Sequence, residues 1–314
     1  MGTSIYFWIG FHIFIFLMLA LDLGIFHKHT HKVPVKEAII WSAVWISLAL
    51  VFSILIPLFI YQDPAIGKVK ALEFLTGYVI EYSLSVDNIF VFILIFTFFK
   101  VDDRYQHKVL FWGILGALIM RAIFIFAGVA LINRFHWIVI IFGGFLVFTG
   151  IKMLFQSDVP ADPEKNPVIR FFRKFLPVTN TFHEDRLFIK QNRKLYATPL
   201  FLVLVIIETS DLIFAVDSIP AILAISKDTF IVYTSNIFAI LGLRSLYFAV
   251  AGIMNYFRYL KTGLAFVLTF VGLKMLLAFF NLEIHIVLSL IIIISILMIS
   301  ILSSVLIKPG NKNN

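Results

Sequence analysis

Seven carboxylates stand in or beside apolar stretches of this chain: Asp22, Glu73, Glu81, Asp87, Glu208, Asp211 and Asp217. A charged side chain at the centre of a bilayer costs about 2.5–3.5 kcal/mol even on the lenient insertion scale. Six of the seven fall in just two segments, and folding alone gives no reason to put them there. They predict a functional site. Carboxylates joined by Asn88, Ser218 and backbone carbonyls make a set of hard oxygen ligands, suited to Mn²⁺, Mg²⁺ or Ca²⁺ rather than Cu(I) or Zn²⁺. The metal-ligand candidates are Glu81, Asp87, Asn88, Glu208, Asp211 and Asp217. Arg121, Arg244, Lys152 and Lys274 are the candidates for charge balance or coupling. The acids outnumber these bases, which leaves room for a divalent ion. The competing reading is a set of internal salt bridges that merely hold helices together, against which stands the cost of burying ion pairs for stability alone. Asn236 either faces the same cavity or bonds a neighbouring helix.

The spacing carries geometry. Glu208 and Asp211, at i,i+3, share one face of a helix. Glu81 and Asp87, like Asp211 and Asp217, are six apart, and at 3.6 residues per turn the two acids of each pair point to different faces. A local break in each helix would let them converge. Pro220 supplies a cause in the second segment, because it removes a backbone donor and crowds the carbonyl of Val216. In the first, Ser83 and Ser85 are placed to satisfy freed backbone groups. Carboxylates in such a site can also carry protons, so a metal that displaces them would exchange for protons.

The elements that position these residues are helices in a membrane. Of 314 residues, 61% are hydrophobic and 14% charged, where a soluble domain carries about 25% charged residues. Mean hydropathy is +0.99. The apolar residues come in blocks near the thickness of a bilayer, and the backbone in lipid must bond within its own segment. Nine transmembrane helices are predicted, near Ile5–Phe26, Ala38–Ile60, Ala71–Phe99, Val109–Ile132, Trp137–Phe155, Thr198–Ile225, Phe230–Tyr256, Gly263–Phe280 and Ile284–Leu306. The polar insert 156–197 reads as a soluble loop with an interfacial stretch at Arg170–Leu176. Lys68, Lys70, Arg134 and Lys227 are the few loop positives on one side; the other side holds far more, with or without the insert. The N-terminus is therefore expected outside and the C-terminus in the cytoplasm.

The chain also repeats itself. Glu81 to Ile89 can be laid on Asp211 to Ile219: an acid, a second acid six positions later, a small polar residue, then Ile. Each segment is followed by a helix with a central arginine, Arg121 or Arg244, and then by a Gly-(Ile/Leu)-Lys-Met-Leu run, Gly150–Leu154 or Gly272–Leu276. Three helices per unit is an odd number, so the second unit must enter the membrane from the opposite side. That is the inverted-repeat plan of many transporters, whose substrate site lies near the midplane between the units. The expected organisation is an all-α membrane protein: accessory helices in 1–70, a first three-helix repeat in 71–155, a cytoplasmic loop in 156–197, a second repeat in 198–280, and the ninth helix with a cytoplasmic tail in 281–314.

The remaining signals are weaker or exclude. The chain has no cysteine, which removes disulfides, thiolate metal sites and thiol redox chemistry. The net charge of +8 clusters beside hydrophobic spans and so points to lipid and topology, not to nucleic acid. His27, His29 and His31 sit in a basic loop and could capture or sense metal, but a solvated loop is the plain reading of a compositional cue. His12 reads as a packed polar residue. Asp22 ends the first helix at the interface. No phosphate loop, nucleophile–base pair or cofactor fingerprint is present, so no enzyme is expected.

Several of these segments resemble the TerC family of integral membrane proteins. The resemblance is carried by Gly77-Tyr78-Val79-Ile80-Glu81-Tyr82-Ser83-Leu84-Ser85-Val86-Asp87-Asn88, by Ala197-Thr198-Pro199-Leu200, and by Glu208-Thr209-Ser210-Asp211 with Phe214 to Ala221. Asn236 to Phe248 and Gly272-Leu273-Lys274-Met275 continue it, over roughly Glu37 to Phe280. It implies a bacterial-type cytoplasmic-membrane protein of a family historically tied to tellurium resistance, with members similar to manganese exporters that also help metallate exported enzymes. The family's acidic motifs fall here on Glu81, Asp87, Asn88, Glu208, Asp211 and Asp217. An anionic site without thiols suits tellurite, an oxyanion, poorly. The leading expectation is export of a divalent cation, Mn²⁺ before Ca²⁺ or Mg²⁺. The alternative is a scaffold or assembly factor that supports metallation or insertion of exported proteins, with protein partners at the loop 156–197.

Overall fold

The structure is a computed structural model that describes residues 4–24, 34–61, 63–135, 137–155, 177–179, 181, 184–191, 194–253, 259–280, 282 and 284–306. Among them are nine long helices: α1 Ile5–Gly24, α2 Val35–Leu55, α3 Pro64–Phe98, α4 Asp103–Arg134, α5 Ile138–Phe155, α6 Pro199–Leu223, α7 Thr229–Ile253, α8 Leu260–Phe279 and α9 Ile286–Leu306. A hairpin, β1 Phe188–Gln191 and β2 Lys194–Ala197, precedes α6. Six helical stretches are long and apolar enough to cross a membrane: Val35–Ile60, Pro64–Thr97, Asp103–Ile132, Thr229–Ala251, Lys261–Phe279 and Ile286–Leu306. Nine were expected. Of the others, α1 and α5 hold shorter apolar helices, Ile5–Ala20 and Ile140–Phe155, and α6 carries Glu208, Asp211 and Asp217.

Local chemistry sets the ends. Asp63 caps α3, accepting from the Ala65 N–H at 2.8 Å with Pro64 at the first helical position, where its missing donor costs nothing. The helix stops at Lys100, whose φ of 51° is the left-handed conformation that closes a helix. Asp102 then caps α4 through the Arg104 N–H. Because α3 begins at Pro64, the expected boundary at 71 falls inside the helix. The last residues of α2 pass into a π-helical turn, Ile56–Ile60, against which Gly67 of α3 packs so closely that a methyl there would meet Pro57 Cα at 2.6 Å.

The faces are sorted as lipid requires. The buried stripe of α2 is Ala38, Ser42, Trp45, Ala49 and Ser53, and that of α9 is Ser289, Ile293, Leu297, Ser300 and Ser304. Small and hydroxylated residues turn inward, while Ile54, Leu58, Ile291 and Ile299 are exposed. Small residues let helices approach where apolar burial gives no net drive. The interior belongs to α3, α4, α6 and α7, where α3 packs on α6 and α7, and α4 on the same two. Helices α5 and α8 pair extensively through glycines: a methyl on Gly272 would meet Gly143 O at 2.7 Å and Val147 N at 2.8 Å, and one on Gly150 would meet Ala265 O at 2.7 Å and Thr269 N at 2.9 Å. Rising numbers along α5 meet falling numbers along α8, so the pair is antiparallel.

The expected helix breaks do not occur. Both acid helices run unbroken, α3 through Glu81 to Asn88 and α6 through Pro220. Pro220 lies three residues before α6 ends at Leu223, where neighbouring helices and side chains absorb one lost bond without unwinding. The hydroxyl of Ser83 donates to Val79 O of an intact turn, and Thr209 and Ser210 bond back to Val205 O and Ile206 O. The expected interfacial stretch 170–176, His27, His29 and His31 lie outside the described residues, as does the side chain of Asp22.

Candidate polar centre between the acid helices

Acids from the two helices converge on each other. Glu81 of α3 and Asp211 of α6 face one guanidinium, that of Arg121 on α4, which is 1% exposed. Arg121 Nη1 donates to Glu81 Oε1, to Ser218 Oγ at 2.9 Å and to Asn236 Oδ1 at 2.9 Å. Its Nη2 donates to Asp211 Oδ1 at 3.5 Å. Asn88 of α3 closes the ring, its amide donating to Asp211 Oδ1 at 3.1 Å. Asn236 keeps its own amide on Val232 O of α7, which turns its oxygen toward the arginine. Of the two roles open to Asn236, the structure shows the bond to a neighbouring helix, made to Arg121 of α4. All six side chains are buried.

In the described centre two carboxyl groups share one guanidinium. Polar atoms there remain without partners among the described residues: Glu81 Oε2, Ser85 Oγ, Asn88 Oδ1 and Arg121 Nε. Buried polar atoms are nearly always paired with protein or water. Glu81, Asn88, Arg121 and Ser218 line one cavity of about 60 Å³, walled on its apolar side by Met153 of α5 and Leu268 of α8. That volume admits water or a small ion. Among the described residues no three acidic or histidine side chains gather closely enough to hold a metal ion between them. The oxygens that do converge are two carboxylates, an amide and a hydroxyl. The side chains of Asp87 and Asp217 lie outside the described residues; their backbones precede Asn88 and Ser218 on the two acid helices.

Glu208, one turn before Asp211, occupies a second site. It lies in a notch on α4 where Gly116 stands against its carboxylate, so that a methyl on Gly116 would collide with both oxygens, and Gly113 lies just beyond. Its Oε1 has no partner among the described residues. Glu208, Asp211 and Arg244 line a smaller cavity with Phe92, Ile114 and Leu243, so the i,i+3 acids do share a face. Lys274 is buried in α8, but Lys152 is exposed near the end of α5. Lys152 is thus not part of the centre: its place in the Gly-Ile-Lys-Met-Leu run puts it on the outward side of the α5–α8 pair. Sequence reasoning missed the notch, whose only signal is the Gly113/Gly116 spacing.

It also missed a polar cluster at one end of the bundle. Lys70 donates to Glu73 at 2.8 Å and stands 4.0 Å from Asp228. Ser226 donates to Glu73, and Tyr61 donates to Asp228 at 2.6 Å. Asp228 in turn accepts from the Phe230 N–H at the start of α7. At another place Lys108 of α4 meets Asp185, ahead of the hairpin, at 2.8 Å. His12 is packed as expected, with Nδ1 against Trp8 O and Nε2 against the Tyr233 hydroxyl.

Such a bundle, apolar outside and with a charged, hydrogen-bonded centre between its helices, defines a polytopic integral membrane protein. Residues 66–312 match the TerC family of integral membrane proteins, and the chain belongs to that family. It is 52% identical to an uncharacterized membrane protein of Myxococcus xanthus, over 85% of this chain and 82% of that protein. It is 46% identical to an Escherichia coli K12 protein named "Putative membrane-bound redox modulator Alx", over 87% of this chain and 86% of that one. An uncharacterized membrane protein of Rickettsia bellii is 42% identical over 96% of this chain and 97% of its own length. No solved structure matches the chain.

Proposed function

We propose that this protein exports a divalent metal cation, Mn²⁺ ahead of Ca²⁺ and Mg²⁺, across the cytoplasmic membrane. The observation that carries the reading is the meeting of Glu81 and Asp211 from two helices at one guanidinium, beside a cavity that Glu81 and Asn88 line and where each has an unpartnered oxygen. Hard oxygen donors at that place suit a hard divalent ion. Glu208, Asp87 and Asp217 are assigned to the same ion's path, and exchange for protons is the proposed coupling. A thiol-based redox role, which the name of the Escherichia coli relative brings to mind, has no cysteine to use here.

Nine crossings and two inverted three-helix units are part of this reading. Laying Gly150 on Gly272 lays Gly143 on Ala265 and Val147 on Thr269. The approaches of Gly272 to Gly143 and Val147 are then the images of those of Gly150 to Ala265 and Thr269, as a two-fold axis between antiparallel equivalents would produce. Segments that nine crossings put on one side also meet: Tyr61 after α2 with Asp228 after α6, and Lys108 in the second turn of α4 with Asp185 in the insert. The Lys and Arg imbalance favours the N-terminus outside.

The deciding experiment is uptake of Mn²⁺, Ca²⁺ and Mg²⁺ into inside-out vesicles holding the purified protein, with and without an imposed proton gradient. Saturable Mn²⁺ uptake lost in Glu81→Gln and Asp211→Asn is expected. No uptake of any of the three ions would defeat the proposal, and indifference to the proton gradient would remove the antiport. A scaffold role draws on the hairpin, which Thr198 ties to the start of α6 through Arg186 O at 2.7 Å. A scaffold would fail on loss of the insert and tolerate both substitutions.

A further inference from the structure

We propose that Arg121 is a tethered cation that takes the cargo's place: it holds Glu81 and Asp211 when no divalent ion lies between them and is displaced when one binds. The inference rests on the cation-transport reading above and assigns a step within it.

The guanidinium uses the oxygens that an ion would need. It engages Glu81 Oε1, Asp211 Oδ1 and Ser218 Oγ, one acid from each acid helix and the hydroxyl that follows Asp217. A divalent ion and a guanidinium cannot share these lone pairs, and in a buried site their mutual repulsion is strong. The two states are therefore alternatives. Three features suit Arg121 to exchange rather than to permanent clamping. Its Nε is unpartnered among the described residues, and the guanidinium borders the cavity that Glu81 and Asn88 also line, which gives it room to withdraw. Glu81 presents Oε2 and Asn88 presents Oδ1 without partners at the same cavity, so an incoming ion finds donors before the arginine leaves. Asn236 is a neutral acceptor fixed by its own bond to Val232 O, and it can keep the guanidinium once the acids have turned to the ion.

The consequence concerns the return half of the cycle. Two bare buried carboxylates would resist any rearrangement that moves them through a low-dielectric interior. With Arg121 between them, the centre without cargo carries less net charge and spans α3, α4, α6 and α7 as one unit. Arginine suits this better than lysine, because its planar fork reaches several acceptors at once and keeps its charge when buried.

The test uses the purified full chain in proteoliposomes and three readouts: Mn²⁺ binding by calorimetry, net Mn²⁺ flux, and exchange of labelled Mn²⁺ against unlabelled Mn²⁺ on the other side. Arg121→Gln should bind Mn²⁺ about tenfold or more tightly, since the competing arginine-bound state is gone. It should retain exchange and lose net flux. Arg121→Lys should fall between, with affinity rising in the order Arg, Lys, Gln and net flux falling in the same order. An arginine that only holds the helices together would lower affinity, exchange and flux together, and that result overturns the proposal. Arg121→Lys preserves the charge and keeps the test available should Arg121→Gln fail to fold. If the unaltered protein carries none of Mn²⁺, Ca²⁺ or Mg²⁺ in either mode, the transport reading itself has failed. If it carries Mn²⁺ but the variants do not separate exchange from net flux, only the role of Arg121 is refuted.

Discussion

Asn88 of α3 donates its amide to Asp211 of α6 at 3.1 Å, across 123 residues of chain. By the repeat alignment Asn88 corresponds to Ser218, and Asp211 to Glu81. The small polar residue of each unit thus stands by the leading acid of the other, since Arg121 joins Ser218 to Glu81 through a single nitrogen. The centre is shared by α3 and α6 and belongs to neither helix alone.

Neutralising either leading acid should therefore damage the same property. Glu81→Gln and Asp211→Asn should each lower Mn²⁺ affinity about a hundredfold, the scale set by losing one partner of a buried charge pair. Calorimetry on the purified protein measures this, and retention of wild-type affinity by either variant contradicts the shared site.

The notch on α4 makes a sharper distinction. A methyl at Gly116 collides with the Glu208 carboxylate, whereas one at Gly113 meets Ile207 at 3.5 Å and Glu208 at 3.7 Å, ordinary contact distances. Gly116→Ala should displace Glu208 and depress transport with little loss of melting temperature, because the end of a flexible side chain yields. Gly113→Ala should be close to neutral. Equal effects at the two positions would remove the notch as a determinant of Glu208.

The α5–α8 pair offers a stability test. Methyls at Gly150 and Gly272 meet backbone atoms that cannot swing aside, and overpacking of this kind costs about 1–3 kcal/mol. Thermal unfolding in detergent should show similar losses for Gly150→Ala and Gly272→Ala. Gly144→Ala, where a methyl meets nothing within 4 Å, should leave the midpoint in place.

Lys152 is exposed, so Lys152→Gln should leave Mn²⁺ affinity within about twofold, as surface substitutions away from buried features change free energies by about 0.5 kcal/mol or less. A large drop in affinity would return Lys152 to the centre.

At the end of the bundle, Tyr61→Phe removes a 2.6 Å bond to Asp228. Loss of one such bond should cost about 1–3 kcal/mol, as hydrogen bonds to charged groups do, read as a lower melting midpoint. An unchanged midpoint would mean that Asp228 is held well enough by Lys70 and its own backbone contacts.

Much of this was legible in one dimension. Helix existence follows from apolar runs of membrane length, and the end of α3 near Lys100 is legible to within a residue, whereas its start at Pro64 reads seven residues late, at Ala71, because the polar turn before it breaks the apolar run. The acids advertised themselves, because a carboxylate in an apolar run is costly wherever the run goes. The six-residue spacing misled on the backbone: it suggested broken helices, whereas both acid helices run unbroken and Glu81 and Asp211 meet at one arginine. Repeats in sequence revealed which positions are equivalent, but equivalence does not say which of them touch. Arg121 and Arg244 align, yet Arg121 bridges Glu81 and Asp211 while Arg244 borders Glu208. Lys152 and Lys274 align, yet one is exposed and the other buried.

The amino-acid order by itself determined that this chain forms apolar helices, that two of them carry acids, and that the two halves share a plan. These are properties of neighbours along the chain, where backbone bonding and side-chain solvation act within a few residues. Only the tertiary structure decided that two acids would share one guanidinium, that Glu208 would rest against a glycine and that Lys152 would face outward. Those outcomes depend on how helices rotate and cross, which is set by contacts between residues far apart in the chain and written in no short stretch of it.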